Sequence, residues 1–222
     1  MPPAPIVPIK YTWDAAARQY IHDLTGKYVT PWQQRQIGIR IVNKSAAAMR
    51  ELSERYVGGD IVFEQWAVEM REAVKAAHSA MVQFAYGGKN AMGPVERGRL
   101  GATIRTQYSH LSNFALEVES GQVALGDGLI ARAELYGKSA WGSYSDSVGH
   151  REQAAGMNEE RSFLEPEADH CQDCFDEATL GWVPVGDLIP IGARQCLANC
   201  QCSIEYRQAG AEGEGDGAEA AA

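Results

Sequence analysis

The first 170 residues contain no cysteine, which excludes a chain stapled throughout by disulfides. No apolar run is long enough to cross a bilayer, so no membrane partner is expected. The start, Met1-Pro-Pro-Ala-Pro-Ile-Val-Pro, lacks a basic stretch followed by an apolar one, and no secretory signal is expected from it. The glycine-containing stretch 121–128 lacks the lysine of a phosphate-binding loop. The serine-rich stretch from Ser139 to Ser147 lacks the context of a nucleophile elbow. His22, His78, His110 and His150 are scattered without metal-ligand spacing, so packed or surface histidines are the expectation. No catalytic residue and no organic cofactor site stand out, and the expectation is a protein that is not an enzyme.

What is present is a globular composition. Hydrophobic residues make up 45% of 222, enough for a core that needs no disulfide. The net charge of −9 is unevenly spread. Residues 165–207 carry −6, the last fifteen residues carry −4, and the first 164 carry +1. Nucleic-acid binders need a basic face to displace counterions from phosphate, so the acidic segment is disfavoured for direct nucleic-acid binding.

Residues 1–10 hold four prolines and read as an extended arm that could dock on a neighbour. Tyr11 to Leu24 reads as a short helix ending near Gly26. Thr30-Pro31-Trp32-Gln33 is a helix start with a cap, proline at the first helical position and a glutamine that can complete a capping box. Ile37, Ile41, Met49, Leu52 and Tyr56 follow at near-helical spacing, up to Gly58-Gly59. Asp60 is the expected cap of the next helix, whose face runs Phe63, Trp66, Met70, Val74, Ala77, Met81 and Phe84. Pro94 opens a helix striped by Leu100, Ile104, Tyr108, Leu111, Ala115 and Val118. A further helix over Leu129 to Ser147 is weakened by Gly137 and Gly142, which predicts a break or a close packing contact. From Gly181 the pattern changes: 181–185 and 202–206 read as short strands, with a turn at Leu188-Ile189-Pro190-Ile191-Gly192. The predicted fold is therefore mainly α, with a helical body over 11–164 and a small cysteine-rich, zinc-ribbon-like α+β module over 165–207. An acidic low-complexity tail over 208–222 is expected to be disordered.

All five cysteines fall in that module: Cys171, Cys174, Cys196, Cys200 and Cys202. The odd count and tight clustering point to metal rather than to disulfides or merely packed thiols. A two-residue gap lets both sulfurs of one turn face a single ion, and a second cluster completes a tetrahedron. Zinc suits thiolates and would stabilise a segment too small to hold its own core. Cys171 and Cys174 are the first pair; the choice among Cys196, Cys200 and Cys202 is open, and His170 could also contribute, although a residue next to a ligand is more often its neighbour. Four sulfur ligands leave no position for water or substrate, so such a site is structural.

Asp169-His170-Cys171-Gln172-Asp173-Cys174, Gly181-Trp182, Leu188 to Gly192, and Cys196-Leu197-Ala198-Asn199-Cys200-Gln201-Cys202 together resemble the C-terminal signature of the Mu protein F-like head-morphogenesis proteins, minor head components of tailed bacteriophages. Upstream, Tyr20 to Val29 and Ala85-Tyr86-Gly87-Gly88 with Met92 are similar to that family's opening and its glycine break. Gln201 stands where the family often has arginine, and Cys196 lies near the place of a frequent His-Pro, which would make Cys196 the ligand that histidine supplies elsewhere. The resemblance implies a virion component, bound to portal or major capsid protein in the head, and in the host cytoplasm during assembly. Two other readings stay open: a metal-dependent hydrolase or nuclease using Asp169, Asp173 and Asp176, and a protein-binding zinc-ribbon regulator.

Overall fold

The computed structural model describes residues 10–210. The proline-rich arm, apart from Lys10, and the acidic tail beyond Gly210 lie outside the described residues. The fold is mainly helical, with one small sheet before the long helices and another toward the C-terminal end. Among the described residues, no helix is long and apolar enough to cross a membrane.

The first segment departs from the sequence reading. Tyr11–Leu24 is not a helix; it holds β1 (Tyr11–Asp14) and β2 (Gln19–His22), which join β3 (Tyr28–Val29) in an antiparallel sheet. The alanines between β1 and β2 favour a helix by propensity. Asp14 overrides them, because its Oδ1 accepts the amides of Ala16 and Ala17 at 3.0 and 3.1 Å and closes a turn instead. Tyr20, fully buried, donates its hydroxyl to the Ala85 carbonyl at 2.8 Å and anchors this sheet on the body.

Helix α1 (Pro31–Val57) starts as its sequence predicts. Gln33 N–H donates to Thr30 Oγ1 at 3.2 Å while Thr30 N–H donates to Gln33 Oε1 at 2.9 Å, a complete capping box. Helix α2 (Phe63–Tyr86) buries Trp66, Met70, Val74, Ala77, Met81 and Phe84 on one face and is the central element of the core. Its N-cap is Val62, without a side-chain bond, and not Asp60, whose amide instead donates to Arg55 at the end of α1. At its other end Gly87 has φ +80°, and a Cβ there would meet the Trp13 backbone nitrogen at 2.3 Å. Glycine is needed there for both the left-handed turn and the passage of β1.

Helix α3 (Pro94–Glu119) buries Leu111, Phe114 and Val118 in its C-terminal half, while its first half stays partly open. The expected helix after residue 129 is two helices, α4 (Asp127–Lys138) and α5 (Ala140–Ala154), divided at Ser139. Gly137 serves the packing purpose: a Cβ would lie 2.5 Å from the Ala46 nitrogen of α1. Gly142 brings α5 against the Ile191 carbonyl, 3.1 Å from where a Cβ would sit, and so seats the cysteine-rich segment on the body.

The second sheet has the order β5-β4-β6, all antiparallel: β4 (Glu159–Phe163), β5 (Val183–Pro184) and β6 (Ser203–Arg207). Helix α6 (Gln172–Thr179) packs on β4. Neither β4 nor α6 is legible from apolar periodicity. The inward residues of β4 are Glu160 and Ser162, both buried, and they hide its alternation. Because β4 is the middle strand, this sheet draws on residues before 165.

A candidate metal centre of cysteines and His170

Each cysteine is placed by a short local element. Cys171 is the N-cap of α6 with an extended backbone, and Cys174 lies in the first turn. An i, i+3 pair at a helix start shares one face, so the two sulfurs stand 3.5 Å apart. Cys196 and Cys200 flank a 3-10 turn at Leu197–Asn199, and Cys202 directly precedes β6. All five are free thiols; Cys174, Cys200 and Cys202 are buried, whereas Cys171 and Cys196 are partly exposed.

The two sequence clusters meet at Cys174. Its sulfur is 3.6 Å from that of Cys196 and 3.8 Å from that of Cys200. In a tetrahedral zinc–thiolate site with bonds near 2.3 Å, ligand sulfurs are about 3.8 Å apart, so these spacings can accommodate a metal ion. Two groups have all their ligand atoms within 4.8 Å of one another: Cys171 with Cys174 and Cys196, and His170 with Cys174 and Cys202. The cysteine–histidine cluster can thus hold a metal ion. His170, read from the sequence as a neighbour, faces the cluster with Nδ1 3.7 Å from the Cys202 sulfur. Its other nitrogen, Nε2, donates to the Glu165 carbonyl at 2.8 Å. That bond puts the proton on Nε2 and leaves the Nδ1 lone pair facing the sulfurs, the usual arrangement behind a metal-binding histidine.

The thiols polarise one another. Hydrogen bonding from Cys202 holds the Cys200 thiol well below its usual range. Cys202 is pushed up chiefly by that same bond, and Cys196 chiefly by burial. A cation bound by these thiols would displace protons from them.

Acidic side chains hold the loops around the cluster. Asp173 Oδ2 accepts the Gln195 amide at 2.7 Å, tying the first cysteine segment to the second. Glu177 accepts the Ile189 amide at 2.8 Å, and Glu160 accepts those of Gly186 and Leu188 at 2.9 and 3.2 Å. Asp176 accepts from the Gln172 side chain at 2.7 Å. Asp173, Glu177 and, from β4, Glu160 thus hold backbone amides of the loops. Arg194, fully buried, donates to the Ile189 carbonyl at 3.0 Å and the Ser162 hydroxyl at 2.9 Å, and brings a buried positive charge into the same module. Arg194, Glu160 and Glu177 did not stand out in the sequence, since isolated charged residues usually mark a solvated face, and Asp173 stood out only as a candidate catalytic carboxylate.

The remaining histidines lie elsewhere. His78 is buried in the body, with Nδ1 2.7 Å from the Ser143 hydroxyl, and burial lowers it to about 4. His110 is exposed. In comparisons with known proteins, no family model, curated protein or solved structure matches this chain.

Proposed function

We propose that the protein is a minor head component of a tailed bacteriophage, acting in head assembly at or near the portal, and that its cysteine cluster is a structural zinc centre. The observation that carries this reading is the meeting of the two cysteine segments on one largely buried cluster, with sulfur spacings of 3.5–3.8 Å. These are the segments on which the family resemblance rests, set beside a helical body whose surfaces are available to partners. Zinc is the metal that best suits a set of thiolates and one imidazole in tetrahedral spacing. Donors supplied wholly by the protein leave the metal without an open position, which favours a structural role. The catalytic alternative is weakened by the engagement of Asp173 and Asp176 in local hydrogen bonds.

The test is mass spectrometry of purified virions together with a pull-down on portal and major capsid proteins. The expected result is the protein in mature or immature heads and co-purification with portal. Absence from both experiments overturns the assembly reading, and purification of a fully ordered, metal-free protein overturns the zinc centre.

A further inference from the structure

Four of the five tryptophans line one groove. Trp13, Trp32 and Trp141 come from the helical body and its first sheet, and Trp182 faces them with Phe163 and Tyr206 from the second sheet and its loops. The groove has a volume of about 790 Å³ and follows the seam between the two parts. The charged residues in its wall are all paired. Arg18 and Arg151 meet Glu152 at 2.5 and 2.6 Å, Arg35 meets Glu165 at 3.2 Å, and Glu205 meets Arg161 at 2.6 Å. An ionic ligand would find no spare countercharge there. Trp32 is 68% exposed, and it also lines a second hollow with Tyr11 and Tyr28. Tyr11 directly follows Lys10, where the described chain begins.

We propose that this groove is the seat of the chain's own N-terminal arm, Met1 to Ile9, docked across Trp32 as a polyproline II helix. Aromatic-lined grooves are the surfaces that bind proline-rich segments, because the preformed helix loses little entropy on docking. Pro2, Pro5 and Pro8 recur at every third residue, the repeat of that helix, so they would form one apolar edge. Charge selects the same occupant. No residue from Pro2 to Ile9 has a charged side chain, which suits a wall whose charges are already paired, whereas the tail beyond Gly210 has four acidic side chains and no basic one. The point of attachment favours docking within one chain. The arm joins β1 two residues before Trp13, on the groove wall, counting between Lys10 and that side chain. Nine residues at about 3.1 Å each reach about 28 Å. So short a tether gives an effective concentration on the order of millimolar, above what a second copy supplies at ordinary dilution. Seated there, the arm would cover Trp32 and bridge the body to the cysteine-rich module, whether or not the module holds a metal.

The experiment is fluorine NMR of the full chain labelled with 5-fluorotryptophan, comparing the wild type with the triple variant Pro2→Ser, Pro5→Ser, Pro8→Ser. Trp66, fully buried in the core, is the internal control. The resonances of the groove tryptophans, Trp32 above all, should shift in the variant while that of Trp66 stays, and the wild-type spectrum should not change on dilution. Identical spectra for the two proteins overturn the docking. Wild-type resonances that move toward those of the variant on dilution, as light scattering shows a dimer giving way to a monomer, assign the groove to the arm of a second copy and overturn docking within one chain. A photoreactive residue in place of Ile6 keeps the test decisive should Trp66 shift as well. Cross-links within one chain to the peptides carrying Trp32 or Trp182 support the proposal; cross-links only elsewhere, or none, overturn it.

Discussion

Gly137 of α4 lies so close to Ala46 of α1 that a Cβ on the glycine would stand 2.5 Å from the alanine nitrogen. The backbones of the two helices meet there, and no side chain can give way. Gly137→Ala is therefore expected to destabilise the body by about 1–3 kcal/mol, the usual cost of overpacking. Gly98 and Gly101 of α3 have nothing within 4 Å of their Cβ positions. Alanine at either should stabilise by roughly 0.5–1 kcal/mol, because only helix propensity changes. Urea denaturation midpoints compare the signs; a neutral Gly137→Ala would refute the close-contact account.

His78 predicts how stability depends on pH. Burial lowers its folded-state pKa to about 4 from an ordinary 6.5, so the unfolded chain binds the proton more readily. Its neutral form is fully compatible with folding above 6.5, and stability falls as pH drops from there toward 4. At full effect this loss is about 3 kcal/mol. Urea midpoints at pH 7.5 and pH 5 should separate for the wild type and converge for His78→Gln, relative to their own pH 7.5 values. Parallel curves for both proteins would assign the acid sensitivity to other groups.

Metal removal should act on one end of the chain. The core of α1 to α5 has its own apolar cluster, distinct from the small one formed by Cys174, Ile191, Cys200 and Cys202. A chelator, or Cys171→Ser, is expected to expose the Arg194 peptide bond to trypsin while the far-ultraviolet helical signal largely persists. Arg194 has no exposed surface in the folded protein, so cleavage after it reports opening of the module. Unchanged resistance to trypsin after metal loss would mean that packing alone holds this segment.

Glu160 carries the loop that leads to Arg194. Its Oε1 accepts two backbone amides, those of Gly186 and Leu188. Glu160→Ala leaves both without that acceptor and should cost about 2–3 kcal/mol, concentrated in the module. Hydrogen exchange should rise at Gly186 and Leu188 and not in α2; a uniform rise would show that module and body unfold as one unit.

The long helices were readable because their chemistry is local. Thr30, Pro31 and Gln33 start α1 through bonds within one turn, and the face from Trp66 to Phe84 repeats at the helical period. The cysteine spacing likewise announced a thiol cluster able to hold a metal ion, since a helix turn sets the Cys171–Cys174 distance. Strands β1 and β2 were hidden because a single Asp14 side chain overrules the helical propensity of three alanines, and β4 because its buried positions are Glu160 and Ser162.

Composition and local pattern were enough to define a helical body, the capping box of α1 and a thiol-rich end. Long-range folding alone brought Cys196, Cys200 and Cys202 to Cys174, turned His170 inward against the Glu165 carbonyl, and buried Arg194. These are contacts between residues far apart in the chain or set by a loop's path. A side chain's distance to such partners has no counterpart in its sequence neighbourhood, so only packing of the whole chain could select them.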